Sequence, residues 1–134
     1  GMERNRLVPF AGLALPTYWP QVVILHGCVQ PPEALIPALL SAGVQGLVFT
    51  GTGAGQLSFV ERDALLQWQG PRPLMLRANR CGMGPVNRCE DHAKLGLLPA
   101  GDLSPQKARV LLLLALMAGD DRDALAARLK TLSG

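Results

Sequence analysis

Short apolar runs alternate with stretches of helical period along most of the chain. "QVVIL" (21–25) is apolar throughout and predicts a strand buried on both faces. In "EALIPALLSAG", Leu35, Ile36, Leu39 and Leu40 share one helical face, and Gly43 stands where a glycine ends a helix. Pro37 there either kinks the helix or marks its first turn. "VQGLVFT" (44–50) predicts the second strand, "FVERDALLQWQ" a helix running to Gly70, and "PLMLRAN" (73–79) the third strand. Ser58 and Glu61 form an S-x-x-E capping box ahead of that second helix.

After an irregular loop, "RCGMGPVNRCED", the pattern gives a helical turn at "DHAKLG" and a brief extended piece at "LLPAG". Ser104 followed by Pro105 is a cap with proline at the first helical position. The helix that follows, "PQKARVLLLLALMAG", is apolar nearly all round, which predicts burial. "DDRDALAARLKTL" predicts a final helix, with acids in its first turn and Arg128 and Lys130 near its end, matching the helix dipole. Strand and helix alternate without an internal repeat. The expected architecture is a three-layer αβα domain around a small, about four-stranded, parallel sheet. It spans residues 20–134; residues 1–19 read as a tag remnant and lead-in or linker, the stretch 3–20 holding three prolines and no sustained period.

Composition narrows the functions. The 134 residues suit one domain, and 49% hydrophobic with 17% charged content fits a globular chain. A surplus of 13 basic over 10 acidic residues is too small to argue for nucleic acid. Arg72, Arg77, Arg80 and Arg88 are expected as a solvated rim. The longest apolar run, 110–119, is half the length a bilayer requires. Gly1 before Met2 looks like a cleavage scar, and the start lacks the apolar core of a signal peptide. Three cysteines without a C-x-x-C pair argue against a disulfide framework and for a reducing, cytoplasmic setting.

The glycine turn "GTGAGQ" invites a nucleotide reading, and its spacing refuses it. G-x-G-x-x-G is met from Gly51 at Gly53 but fails at Gln56; from Gly53 it is met at Gly55 but fails at Ser58. The strand after it ends in Ala78, Asn79 and Arg80, not in a ribose-binding acid, and no G-x-x-x-x-G-K-[ST] occurs. Gly51, Gly53 and Gly55 are therefore expected as a structural strand-to-helix turn, with no cofactor. His26, Cys28, Cys81, Cys89 and His92 follow the first and third strands. In a parallel sheet they share one edge, which leaves a metal or thiol site as a rival reading. No paired ligand motif supports it, so no metal is expected.

"VVIL", "ALIPALLSAGVQGLVFTGTGAGQL" and "HAKLGLLPAGDLSPQKARVLLLLAL", in that order, resemble the C-terminal domain of the bacterial L-asparaginase/glutaminase family. The resemblance covers nearly the whole chain. The last stretch is the most specific, and Gln56 departs from the family's G-x-G-x-G-N turn. The resemblance implies an amidohydrolase that deamidates asparagine through a threonine nucleophile and an acyl-enzyme. The family's nucleophile lies in T-G-G-T, with further groups around T-D-T, in an N-terminal domain. Thr17, Thr50, Thr52 and Thr131 sit in neither motif, so no catalytic residue is expected in this chain.

The resemblance also implies that the domain reaches the site of a neighbouring subunit. An Asn after its first strand aligns with Gln30, and a Glu in the loop after its third falls near Cys89 or Glu90. Gln30 and Glu90 are the resulting substrate-adjacent candidates. The expected partners are a second copy, as a homodimer, and an asparaginase N-terminal domain encoded separately. The rival is a stand-alone scaffold domain left by a truncated gene.

Overall fold

The computed structural model describes residues 18–26, 33–51, 59–79 and 95–133. Four strands, β1 (Val22–His26), β2 (Gly46–Gly51), β3 (Leu74–Asn79) and β4 (Leu97–Pro99), form one parallel sheet in the order β1-β2-β3-β4. Four helices accompany them: α1 (Leu35–Ser41), α2 (Phe59–Gln67), α3 (Pro105–Met117) and α4 (Arg122–Ser133). The expected three-layer αβα arrangement is present.

The sheet divides two apolar cores by simple alternation. Leu47, Phe49, Met75 and Leu97 join Ile36, Leu40 and Leu65 of α1 and α2. Val48, Leu76, Ala78 and Leu98 face Ala108, Leu111, Leu112 and Ala115 of α3 and Leu125 of α4. Successive strands added in one direction by right-handed crossovers place the first two helices on the same face. The C-terminal pair then covers the other face. Both faces are buried, which is why the strands read as continuous apolar runs rather than as alternating ones.

Local chemistry sets the helix boundaries. Pro37 lies in the first turn of α1, where its missing N–H leaves no helical bond broken. On that helix Ile36 and Leu40 are buried, whereas Leu35, placed by its period on the same face, is exposed. Two helices end in the same way. Val44 N–H donates to Leu39 O and Gly43 N–H to Leu40 O after α1; Asp120 N–H donates to Ala115 O and Gly119 N–H to Leu116 O after α3. Gly43 and Gly119 take φ of +81° and +79°, the left-handed conformation this double closure requires. α2 stops at Gln67, before Gly70, and Arg72 Nη2 donates to the carbonyl of Leu65 at 2.8 Å. Ser58 of the expected capping box lies outside the described residues.

Ser104 caps α3, its hydroxyl accepting from Lys107 N–H at 3.2 Å, with Pro105 at the first position. Ser104→Ala is expected to lower stability by about 1 kcal/mol. Urea denaturation should show a lower midpoint at an unchanged m-value. An unchanged midpoint would show that the cap contributes nothing.

One expectation about the arginines fails. Arg77 is not on a solvated rim: it is fully buried in β3, at an inward position two residues after Met75. Glu61 of α2 is buried too, at 6% exposed. α3, expected to be largely buried, is buried on its sheet side, whereas Val110 is 38% exposed. Among the described residues no helix is long and apolar enough to cross a membrane.

Candidate functional site

The three longest strands end in step. His26 pairs with Thr50, Thr50 with Ala78, and Gly51 with Asn79. The segments that follow them, beginning at residues 27, 52 and 80, therefore all start from the carboxyl edge of the sheet. In open parallel sheets this edge is where binding crevices form. α3 starts at Pro105, a few residues after β4 ends beside Arg77, so its N-terminus belongs to the same end.

Gly51 is the last residue of β2 and His26 the exposed last residue of β1. The other candidates, Gln30, Glu90, Gly53, Gly55, Cys28, Cys81, Cys89 and His92, lie outside the described residues. Among the described residues no group of three or more His, Cys, Asp or Glu could hold a metal ion.

Among the described residues Thr50 is the threonine placed at this edge within a strand. It is 1% exposed, and its hydroxyl oxygen has no hydrogen-bond partner among the described residues. His26 neighbours it in register. Leaving a buried hydroxyl unsatisfied costs about 1–3 kcal/mol.

The opposite, amino edge carries a groove of about 700 Å³ floored by Leu40, Val44, Leu74, Leu98, Leu116 and Leu125. Polar side chains that line it are already committed to the fold. Asp120 binds Arg128, Asp121 Oδ1 accepts from Ala124 N–H at the start of α4, and Arg72 serves the end of α2. Trp68 Nε1 donates to Pro71 O at 3.0 Å. These contacts explain the groove as the seam where α1, α2 and the α3–α4 turn meet. The caps by Asp121 and Arg72 were not anticipated from the sequence, although Asp121, four residues before Leu125, carries an ordinary N-cap signal.

A parallel three-layer α/β domain whose strands end in step at one edge is a class that serves many chemistries. The chain belongs to the glutaminase/asparaginase family: the Glutaminase/Asparaginase C-terminal domain matches residues 21–129. L-asparaginase 2 of Bacillus subtilis is 37% identical over 102 residues, covering 76% of this chain and 27% of that protein. A probable periplasmic L-asparaginase of Haemophilus influenzae is 36% identical over 104 residues, covering 76% and 30%. The crystal structure of a probable cytoplasmic L-asparaginase from Campylobacter jejuni superposes with a TM-score of 0.72 at 31% identity. That match covers 85% of this chain and 37% of the other. The chain spans under a third of the length of these two curated relatives.

Proposed function

We propose that this chain serves as the C-terminal domain of an L-asparaginase-type amidohydrolase, forming one wall of a site that converts asparagine to aspartate and ammonia. The family match over residues 21–129 carries this reading. The in-step strand ends support it, because they give the following segments a common footing from which to face a partner. The nucleophilic threonine and its activating groups come from an N-terminal asparaginase domain, and the chain alone does not hydrolyse amides. Gln30 and Glu90 are the residues that approach the substrate in this arrangement. The setting is reducing and cytoplasmic, in keeping with an odd number of cysteines and no C-x-x-C pair.

Ammonia release tests the reading. The purified chain should give no more ammonia from asparagine or glutamine than buffer alone. Mixed with the N-terminal domain of a related L-asparaginase, it should give hydrolysis that falls on Glu90→Ala. Hydrolysis by the chain alone, abolished by a substitution such as Thr52→Ala, would show that the nucleophile is internal and the reading wrong. Failure of the mixture, with both parts folded and in contact, would count against the wall.

A further inference from the structure

Two opposite charges lie inside the core between the sheet and the first two helices: Arg77 of β3, fully buried, and Glu61 of α2. Taking a charge out of water is costly unless an opposite charge or hydrogen bonds compensate it, and a guanidinium cannot escape by losing its proton. Both residues belong to the same side of the sheet. Arg77 follows Met75 by two positions, which returns it to the face that Leu47, Phe49 and Met75 present. Glu61 precedes Leu65 by four, which sets the two on one stripe of α2.

Their heights match as well. α2 joins two parallel strands, so it runs back from the carboxyl edge to the amino edge. From Leu65 to Glu61 the helix climbs about 6 Å towards the carboxyl edge. From Met75 to Arg77 the strand climbs about 6.6 Å in the same direction. Leu65 and Met75 share one apolar cluster, so the two charges stand at one level above it, one on the helix and one on the sheet. In a medium of low dielectric such charges attract over several ångströms.

We propose that Arg77 and Glu61 are positioning residues, a buried charge couple that sets the start of α2 against the end of β3. Residue 59 opens α2 and residue 79 closes β3, so the couple fixes the spacing of two points at the carboxyl edge. β4 is held to the same place, because Arg77 pairs in register with Pro99 and its carbonyl accepts from Ala100 N–H at 2.9 Å. That the couple serves substrate binding rests on the amide-hydrolysis reading; that the two charges are coupled does not.

Urea unfolding of the chain alone tests the coupling, with wild type, Glu61→Gln, Arg77→Met and the double variant. Each single substitution should raise the unfolded-to-folded ratio about tenfold. The double variant should be no worse than either single, because it leaves no lone buried charge. Should Arg77→Met fail to fold, adding Glu61→Gln should restore folding. Single effects that multiply in the double variant, or a double variant that stays unfolded, would show that other groups satisfy each charge and overturn the couple. Arg77→Lys keeps the positive charge and should stay sensitive to Glu61→Gln.

Positioning is read separately, in the mixture with an asparaginase N-terminal domain and with every variant folded. Glu61→Gln should raise KM several-fold while kcat stays within about twofold, the mark of weakened binding. Leu112→Ala, which disturbs the opposite core, should leave KM unchanged. A KM equal to wild type for Glu61→Gln overturns the positioning role. A wild-type mixture without hydrolysis counts against the amide-hydrolysis reading, and the unfolding cycle then decides the couple.

Discussion

Phe49→Ala should be the most damaging single truncation in the domain, costing about 3–5 kcal/mol. Phe49 is 1% exposed at the centre of β2, in register with Leu25 on one side and Arg77 on the other. Its ring fills the core that Ile36, Leu40 and Leu65 close from above. Truncation removes the transfer free energy of the ring and leaves a cavity that a strand held on both sides cannot collapse into. Against a total stability of about 5–15 kcal/mol for a domain, that is a large fraction. Chemical denaturation should show the midpoint falling while Leu66→Ala, at a 57% exposed position, stays within about 0.5 kcal/mol of wild type. Equal effects at both positions would mean the packing is wrongly assigned. Leu112→Ala, on the other side of the sheet, should add to Phe49→Ala independently, because the two side chains belong to separate cores.

Asp120→Ala should cost about 1–3 kcal/mol, the second largest effect expected. The carboxylate, 6% exposed, accepts from Arg128 Nε at 2.5 Å and Nη2 at 3.2 Å, a two-pronged contact across the α3–α4 turn. Removing one member of a fully buried pair costs more, but the Arg128 side chain is 28% exposed and solvent recovers part of the loss. The hydrogen bond from Arg128 to Asp120, opposed by desolvation and reinforced by their opposite charges, holds the guanidinium above its ordinary pKa. A cation whose pKa is raised on folding contributes fully at lower pH and loses its contribution only as pH rises through the folded value. That value lies beyond the usual arginine range, so the stability gap between wild type and Asp120→Ala should not change between neutral and moderately alkaline solution. Thermal denaturation at several pH values checks it. A gap that closes by mildly alkaline pH would show that another group is responsible.

The layers of this fold were readable because burial on both faces leaves a strong mark: "VVIL", "GLVF" and "LMLRA" are short, apolar and bounded by turn residues. Helix ends were readable at Gly43 and Ser104, where one residue type answers one backbone need. Arg77 was misread for an instructive reason. A charged residue near other arginines suggests solvent, but its position in β3, two residues from Met75, commits it to the interior. Leu35 departs in the opposite sense: helical period places it with Ile36, yet it stands at the first position of α1 and is exposed. The pairing of Asp120 with Arg128 spans a turn and a helix, and no local pattern marks it. The common edge at which β1, β2 and β3 end followed from the parallel order of the strands, whereas Gln30 and Glu90 rest on an alignment of the segments after β1 and β3.

The common line on which β1, β2 and β3 finish has a consequence for change over time. Neighbouring strands lie about 4.8 Å apart, so three segments are rooted within roughly 10 Å of one another. Each is anchored by a strand that neither core can release. Lengthening or rewriting any one of them alters what it can reach while leaving its base where it was. The domain resembles a three-jawed chuck: the jaws can be exchanged singly, and the spindle stays true.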